Sequence, residues 1–488
     1  MPGREVLTVE QVRAADKAAI AAGTPGFELM QRAGQAVAME IAARWTPRPV
    51  LVMCGPGANG GDGYIVAKTL ADAGWPVRVA GLVQPPAMKG DAAMAANAWT
   101  GPVESLGGKL FEGAGLIVDA LFGAGLDRPL EARVQSVIRA AERAGVPIIS
   151  VDLPSGLSGD LGKPLGHAPQ AALTVTFHRK KLAHVLVPGR DLCGEIVVAD
   201  IGLPAPHDAA LHENDPSLWA DRLNWPTAAT HKHGRGRMIV VSGEAASTGA
   251  ARLAARAGLR IGAGLVTVLS PPDAILVNGA HLEAVMLRAF ETDLELEAAA
   301  ASVDAAVIGP AAGVNETTVS NLFALARTGA GLVIDADALS AFRDDPAELF
   351  QVLDRDDILT PHVGEFERVF KGLLAASPER VTAARKAASR AGAVVLLKGS
   401  DTVIAAPDGR AVVNGNGSPW LATAGSGDVL AGFIGGLIAQ GLESFDAACA
   451  AVWIHAEAAA AFGPGLISED LPGLVPGVLR RLYESRQR

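Results

Sequence analysis

The feature of this 488-residue sequence that most restricts its fold is a regular alternation of short apolar runs with amphipathic stretches. In the first half, the apolar run 49–57 ends in glycine and is followed by the helical spacing of 63–74. Further apolar runs end in glycine-rich or polar turns near residues 123 and 155. Strands that alternate with helices of this length are typical of a parallel sheet covered on both faces, so we predict an α/β fold.

The alternation stops between residues 200 and 233, where Pro, His, Asn and Asp are frequent, and restarts with RMIVVSG at 237–243. We interpret 200–233 as an inter-domain connection that has room for a short helix. The length is about three times the ~150 residues that are usual for one domain, which also favours several domains. We therefore predict two three-layer αβα domains, 1–213 and 214–488.

The composition excludes several classes of protein. The formal net charge of −10 argues against binding nucleic acid or an anionic membrane, because both partners need a basic surface. No apolar run approaches the ~18 residues of a membrane span, and 429–439 is too short. Three scattered cysteines and a charged N-terminal segment are typical of a reduced protein without a signal peptide, so we expect a cytoplasmic location.

The strongest motif of the first half is GPGANGGDG at 55–63, which lies between a predicted strand and a predicted helix. Its glycines let the backbone approach a bulky anion, and the start of the next helix offers free N–H groups. No GK[ST] follows, which excludes a Walker A loop, and the spacing differs from G-x-G-x-x-G. Asn59 and Asp62 supply oxygen atoms. The simpler alternative is a tight turn with Asp62 as the helix cap.

Two further strand ends carry oxygen donors. Asp119 comes before the glycine-rich loop 123–129, and Asp152 and Ser155 follow the next strand. Ligands of doubly wound sheets bind beyond the carboxyl ends of the strands, so these groups are expected on one side. Asn59, Asp119 and Ser155 could together enclose a hard cation, although each alone is more often a turn cap.

LMQRAG (29–34), GPGANGGDG, DALFGAGL (119–126) and VDLPSG (151–156) together resemble the N-terminal epimerase domain of the bifunctional NAD(P)H-hydrate repair enzymes. The resemblance covers about residues 5–205 and implies a Rossmann-like fold that epimerises the R and S hydrates of NADH and NADPH. It implies a potassium ion at Asn59, Asp119 and Ser155, with Asp152 as a substrate contact and the candidate catalytic acid or base. Further substrate contacts are implied at Ala58, Asn59, Gly60, Gly61, Asp62, Gly123, Ala124, Gly125, Leu126, Asp127, Arg128 and Pro129. The family usually has a second asparagine where this chain has Ala58.

The strongest motif of the second half is the run 414–441, in which AGSGD precedes a long apolar helix. Free N–H groups at such a helix start form an anion hole for a transferring phosphoryl group, and Asp428 beside them can take the proton of an attacking hydroxyl. Small residues in the helix permit close packing. Lys398 lies at a strand end, where it can face nucleotide phosphates. The simpler alternatives are a capped helix entry and an exposed turn lysine.

GSGD and the strand-end KG resemble the ribokinase-like superfamily. Within it, the runs 247–268, 333–339 and 359–369 resemble the ADP-dependent NAD(P)H-hydrate dehydratase, over about residues 225–485. The resemblance implies catalysis by Asp428 and hydrate contacts at Ala250, Gly313, His362 and Asp428. It implies that ADP, with Mg²⁺, binds at Lys398, Gly399, Ser400, Asp401, Thr402, Gly425, Ser426 and Gly427. Ser247 stands where the family usually has tyrosine, and GPAAG (309–313) replaces a Gly-Pro-Gly-Leu-Gly loop.

The two resemblances together imply a repair enzyme whose partners are small molecules, hydrated NADH or NADPH and ADP. It would epimerise the two hydrates and dehydrate the S form, with NAD(P)H, AMP and phosphate as products. We expect a homo-oligomer. Two alternatives stay open: a ribokinase-like small-molecule kinase fused to a nucleotide-binding domain, and a first half that binds without turnover.

Overall fold

The computed structural model describes residues 3–107, 110–206 and 209–486. The chain forms two compact units, Met1–His212 and Glu213–Arg488. Each unit contains a largely parallel sheet with helices packed against it, which confirms the predicted α/β fold.

The first unit is built on a seven-stranded parallel sheet of order β4-β3-β2-β5-β6-β7-β9, beside a small parallel pair, β1-β8. Its strands are β1 (Val6–Leu7), β2 (Val50–Cys54), β3 (Val77–Gly81), β4 (Val103–Ser105), β5 (Leu116–Ala120), β6 (Ile148–Val151), β7 (Leu173–Phe177), β8 (Lys180–Lys181) and β9 (Glu195–Ala199). Its helices are α1 (Val9–Ala21), α2 (Gly26–Arg44), α3 (Ala58–Asp72), α4 (Gly90–Asn97), α5 (Ala132–Arg143) and α6 (Gly189–Leu192).

Side-chain alternation along β2 shows the three layers of this unit. Val50, Val52 and Cys54 belong to the core cluster that also contains residues of α2 and α3. Leu51 and Met53 belong to the cluster that contains residues of α5. Both faces of the sheet are therefore buried under helices, as expected for parallel strands.

The strand order of the first unit reverses direction between β2 and β5. The connections that leave these two neighbouring strands run to opposite sides of the sheet, which opens a crevice at their carboxyl ends. The predicted glycine-rich segments 55–63 and 123–129 follow β2 and β5 respectively, so the topology places both at this crevice.

The second unit contains a ten-stranded sheet of order β10-β19-β18-β17-β16-β15-β14-β11-β12-β13. Its strands are β10 (Leu211–Glu213), β11 (Arg237–Val241), β12 (Leu265–Ser270), β13 (Met286–Ala289), β14 (Ala305–Ile308), β15 (Gly331–Ile334), β16 (Ile358–Leu359), β17 (Val394–Leu397), β18 (Val403–Ala405) and β19 (Ala411–Val413). The strands from β17 to β13 in this order are parallel, and the β17-β18-β19 pairs are antiparallel. Its helices are α7 (Gly249–Ile261), α8 (Ile275–Gly279), α9 (Asp293–Ala300), α10 (Glu316–Ala326), α11 (Ala336–Ala341), α12 (Pro346–Phe350), α13 (Val363–Val369), α14 (Arg380–Ala391), α15 (Ser426–Ala439), α16 (Ser444–Phe462) and α17 (Leu471–Arg486).

The segment 200–233, which we expected to be a connection, is in part a packed portion of the second unit. Asn214 donates to Asn414 Oδ1 at 2.9 Å and to Cys449 O at 2.8 Å. The Trp219 indole donates to Asn214 Oδ1, packs edge-on against Trp453 and is only 1% exposed. The expected short helix is present as short 3₁₀ turns at Pro216–Leu218, Ala220–Arg222 and Lys232–Arg235. The polar composition of this segment is used for buried hydrogen bonds, which is why it looked like a linker.

Glycines of α15 allow the close helix packing that the sequence predicts. A Cβ at Gly432 would lie 2.1 Å from Ala254 O in α7, and one at Gly436 would lie 2.4 Å from Ile261 Cγ2. These distances are shorter than any real contact, so only glycine permits α7 and α15 to approach this closely.

Helix α16 is long and apolar enough to cross a membrane by length and composition alone, which the sequence analysis did not anticipate. However, 72% of its apolar window is buried inside the structure. Its apolar residues belong to the main core cluster of the second unit, so α16 is explained as a core helix.

Candidate active sites

The Asp152 side chain accepts three hydrogen bonds at the carboxyl end of β6. It follows β6 with a φ of 66°, a left-handed conformation that is unusual for a residue other than glycine. Its Oδ1 accepts from Lys181 Nζ at 2.6 Å and from Thr176 Oγ1 at 2.9 Å, and its Oδ2 accepts from Ala124 N at 2.9 Å. A strained backbone held by this many partners is a frequent property of functional sites.

The pKa of Asp152 is shifted in the opposite direction from the pKa values of the neighbouring carboxyl groups, Asp62 and Asp16. Burial opposes ionisation of Asp152, but Lys181 and the hydrogen bonds outweigh it and hold the pKa at about 2. Burial, together with the charges of Asp152 and Asp16, raises the pKa of Asp62 well above its usual value. Burial also raises the pKa of Asp16. Asp152 is therefore the more acidic group, whereas Asp62 and Asp16 keep their protons to higher pH than usual, and neighbouring carboxyl groups with separated pKa values are the arrangement that acid–base sites use.

These groups line a cavity of about 800 Å³, within the usual size range of ligand sites. Ten of the predicted substrate contacts line it: Ala58, Asn59, Asp62, Gly123, Ala124, Gly125, Leu126, Asp127, Arg128 and Asp152. Gly60, Gly61 and Pro129 are not among the lining residues. Gly60 instead packs on the backbone, since a Cβ there would lie 1.9 Å from Gly55 O.

The segment 55–63 differs in conformation from the expected loop. Helix α3 begins at Ala58, so Asn59 to Gly63 form its first turns, and Asp62 is inside the helix rather than at its cap. The N-cap is Gly57, which makes no side-chain cap hydrogen bond. Asp62 is buried and reaches the cavity, which removes the simpler interpretation of this residue as a turn cap.

The three predicted cation ligands are close to one another. Asp119 is fully buried and accepts from Ser155 Oγ at 2.6 Å and from Ser155 N at 2.8 Å. The Asn59 carboxamide lies between two adjacent segments, where its nitrogen donates to Val151 O at 3.1 Å and its oxygen accepts from Gly123 N at 3.3 Å. No Lys or Arg among the described residues forms an ion pair with Asp119. A cation bound there would offset this buried charge, so the residues fit a potassium ion.

Sequence reasoning missed Lys181, Asp16 and Arg13, which also line the cavity. Lys181 is 2% exposed although it comes from the basic run Arg179 to Lys181, which has the composition of an exposed turn. The sequence feature that could have identified Lys181 is the position of this run, which follows β7, the strand that neighbours β6.

In the second unit, seven neighbouring parallel strands bring their carboxyl ends to one edge of the sheet. Lys398, after β17, donates to Asp335 Oδ1 at 2.7 Å and lies 3.8 Å from Glu365 Oε2. Burial lowers the pKa of Lys398, but the negative charges of Asp335 and Glu365 raise it by a larger amount. The net pKa lies above the usual value, so the side chain keeps its positive charge. The predicted lysine is therefore ion-paired rather than an exposed turn residue.

The start of α15 lies beside this ion pair. A Cβ at Gly427 would be 3.6 Å from Lys398 Nζ and 3.8 Å from Asp335 Oδ2. The N-cap Gly425 has a φ of 85° and no side-chain cap bond, so no side chain caps the first turn of the helix. Burial and the negative charge of Asp335 raise the pKa of Asp428 to about 6. A basic carboxylate thus stands next to an uncapped helix start and an ammonium group.

The other predicted residues of the second unit lie at the same edge, with differing roles. Gly313 N donates to Asp337 Oδ2 at 3.0 Å, and Ala250 lies in the first turn of α7. His362 caps α13, where its ring accepts from Gly364 N and its side chain is 54% exposed. Asp401 is buried and ion-paired with Arg380, which gives it a structural role and not that of a free ligand.

The folds and both sites define an α/β enzyme with a doubly wound unit and a unit suited to phosphoryl transfer. A family model described as "YjeF-related protein N-terminus" matches residues 26–183, and one described as "NAD(P)H-hydrate dehydratase" matches residues 238–465. A bifunctional NAD(P)H-hydrate repair enzyme of Moorella thermoacetica is 37% identical over 94% of this chain and 93% of its own. The Escherichia coli enzyme of the same description is 32% identical over 93% and 90%.

The chain therefore belongs to the bifunctional NAD(P)H-hydrate repair enzymes, which combine an epimerase and a dehydratase. A crystal structure of a ribokinase-like superfamily protein from Enterococcus faecalis matches 57% of this chain and 99% of its own, with 21% identity and a TM-score of 0.52. That similarity shows the fold of the second unit. The predicted family and its two activities are confirmed.

Proposed function

We propose that the first unit epimerises the hydrates of NADH and NADPH at the Asp152 cavity, and that the second unit dehydrates the S hydrate at Asp428 with ADP. The observation that carries the proposal is the position of Asp428, beside Lys398 and the uncapped start of α15. This arrangement supplies a base, a cation and free N–H groups at one point, as phosphoryl transfer requires.

In the second unit, Asp428 accepts the proton of the hydrate hydroxyl, whose oxygen attacks the β-phosphorus of ADP, and AMP leaves. The N–H groups of α15 and the Lys398 ammonium stabilise the charge on the transferring group. The ring nitrogen then expels phosphate as C5 loses a proton, which restores the dihydropyridine. Hydroxide is a poor leaving group and phosphate is a good one, which explains why a kinase-like site serves a dehydration.

Mg²⁺ would enter this site on the phosphates of ADP. The described residues contain no cluster of three or more His, Cys, Asp or Glu side chains arranged to hold a metal ion. Mg²⁺ commonly binds through substrate phosphates, one or two carboxylates and water, and Asp335 and Glu365 are the nearby carboxylates. When bound, the ion would neutralise part of the phosphate charge.

In the first unit, Asp62, whose raised pKa favours the protonated form, gives a proton to the hydroxyl of the hydrate, which leaves as water while the ring nitrogen forms a C=N bond. Water returns to the other face of the ring, a proton is recovered, and the opposite epimer results. Asp152, with a pKa of about 2, is ionised at neutral pH. We therefore assign Asp152 to stabilising the positive ring and Asp62 to proton transfer. Potassium, held by Asn59, Asp119 and Ser155, would add charge compensation.

The decisive experiment is Asp428→Asn. We expect at least a 100-fold lower rate of ADP-dependent NADH recovery from the S hydrate, because the amide cannot accept the proton. Epimerisation in the first unit should not change. The matched control is Asp408→Asn, a substitution in the exposed turn between β18 and β19. Retained dehydration in Asp428→Asn would contradict the assigned base, and a phosphorylated product that accumulates would favour the kinase alternative.

We further propose a cytoplasmic location and a homo-oligomeric state for this protein. All three cysteines are free and buried, in agreement with a reduced, cytoplasmic compartment. β13 is an edge strand of its sheet, and Met286 on it and Leu276 on α8 are exposed apolar side chains, which supports the expected homo-oligomer. Light scattering on the full chain would measure the oligomeric state.

A further inference from the structure

Helix α1 forms one wall of the cavity in the first unit. Val9, Val12, Arg13, Asp16 and Ile20 line it, and their spacing places them on one face of the helix. This helix lies outside the part of the chain that the first family model matches, residues 26–183. None of its residues was among the predicted contacts.

The position of α1 is fixed at its N-terminal end. β1, directly before it, pairs with β8, so that Leu7 lies opposite Lys181. Val9 N donates to Asp160 Oδ1 at 2.8 Å, and the Thr8 side chain caps the helix. Helix α1 is therefore anchored next to β8, the strand that contains Lys181, the ion-pair partner of Asp152.

Arg13 is an unpaired cation on this wall. Within the described ranges it forms no ion pair or hydrogen bond, whereas Lys181 is neutralised by Asp152. Its guanidinium lies against the 123–129 loop, since a Cβ at Gly125 would be 2.7 Å from Arg13 Nη2. Arg128 also lines the cavity but has the acidic Asp127 beside it in the chain. Arg13 thus supplies the uncompensated positive charge where α1 meets the loop.

We infer that Arg13 binds a phosphate group of the dinucleotide hydrate and so orients it in the cavity, with the hydrated ring towards Asp152 and the diphosphate between α1 and the 123–129 loop. The inference rests on the proposed epimerase site. It follows from charge and placement: the substrate carries a diphosphate, and guanidinium groups bind phosphate oxygens by charge-assisted, often paired hydrogen bonds. The groups around Asp152 instead suit an uncharged or positive ring.

The test compares Arg13→Ala with Lys17→Ala in the full chain. Lys17 is on the same helix and carries the same charge, but it does not line the cavity. Epimerisation of pure S hydrate is followed by chromatography without adenine nucleotide, so that dehydration does not interfere, and at constant potassium. For the dinucleotide hydrate, Arg13→Ala should raise KM about ten-fold with little change in kcat, and Lys17→Ala should change neither.

A second substrate separates phosphate binding from other roles. Hydrated, reduced nicotinamide riboside has the reacting ring and no phosphate, so Arg13→Ala should leave its kinetics unchanged. If Arg13→Ala raised KM equally for both substrates, or left KM unchanged for both, the inference would be overturned. If the wild-type chain epimerised neither substrate, the proposed epimerase site itself would be wrong, so the two failures are distinguishable.

Gly125→Ala gives an independent check. Gly125 does not have a left-handed φ, so alanine suits the backbone, but its methyl group would occupy the space next to Nη2. The guanidinium must then move, and KM for the dinucleotide hydrate should rise without a change for the riboside hydrate. An unchanged KM for the dinucleotide in Gly125→Ala would contradict the proposed contact.

Discussion

Asp428 and Asp152 are both half-buried carboxyl groups, yet their neighbours shift their pKa values in opposite directions. Lys181 forms a hydrogen-bonded ion pair with Asp152 and keeps that carboxyl group ionised. Lys398 instead pairs with Asp335, and the pKa of Asp428 is about 6. The difference suits the proposed roles, because a base must hold a proton well and an electrostatic stabiliser must not.

The raised pKa of Asp428 predicts a pH dependence. A carboxyl group with a raised pKa becomes protonated as the pH falls through that value, so ADP-dependent dehydration should decline below about pH 6. Asp335→Asn removes the negative charge that raises this pKa and frees Lys398, and both effects shift the midpoint to lower pH. Initial rates on pure S hydrate as a function of pH measure it. A midpoint that stays in place in Asp335→Asn would contradict the proposed coupling.

Lys181→Met tests the ion pair of the first unit. It leaves Asp152 largely buried without its cation, which for a broken buried pair costs about 3–5 kcal/mol. We expect the first unit to unfold at lower urea concentration and epimerisation to fall. Lys17→Met, on the surface of α1, is the control and should stay within about 0.5 kcal/mol of the wild type. Equal stability of the two variants would show that the pair does not stabilise the fold.

Single residues also show how far the sequence could predict the sites. Asn59, Asp119, Asp152 and Asp428 were found because each stands in or beside a glycine-rich segment, at the end of a predicted strand or the start of a predicted helix. Lys181 and Arg13 belong to no motif, and both depend on contacts between residues far apart in the sequence: Lys181 pairs with Asp152, and α1 with Arg13 is positioned by the pairing of β1 with β8.

Among the elements, the close pair α7–α15 determines how the start of α15 is held. Gly432→Ala would place a methyl group 2.1 Å from Ala254 O, and the overpacking should destabilise the second unit by about 1–3 kcal/mol. Gly477→Ala in α17 is the matched control, because its Cβ would meet nothing within 4 Å and should be neutral or slightly stabilising. Urea unfolding measures both variants. If Gly432→Ala were as stable as Gly477→Ala, the close packing would not be required.

The order of elements was predictable from periodicity, but their exact starts were not. The glycine-rich segment after β2 looked like a loop because glycine disfavours helices. In the structure, α3 begins at Ala58, since Gly60 must pack on Gly55 O and Gly61 on Met30, and these tertiary contacts outweigh propensity. The helical conformation carries Asp62 into the cavity.

At the scale of the whole molecule, each proposed site is built within one compact unit. Asn59→Ala should therefore make epimerisation insensitive to potassium while ADP-dependent dehydration of the S hydrate stays unchanged. Asn97→Ala, an exposed asparagine in the first unit, is the control. Both rates are measured with potassium replaced by choline at equal ionic strength. Unchanged potassium dependence of epimerisation in Asn59→Ala would contradict the proposed ion site.

The two-unit organisation itself was visible in the sequence, whereas the role of the segment between the repeating patterns was not. A stretch rich in proline and asparagine has the composition of a linker. Only the structure shows Trp219 inserted against Trp453, because such an insertion depends on a slot formed by a helix more than two hundred residues later in the chain.

The buried contacts of Asn214 and Trp219 have a consequence for how such a gene can be divided. A freestanding enzyme made from the second half would have to begin about 25 residues before the matched domain at 238. Starting later would leave an open slot beside Trp453 and would remove the donor to Asn414 Oδ1 and Cys449 O. In evolution or in the laboratory, we therefore expect fission of this chain to be tolerated just before β10 and penalised downstream of Asn214.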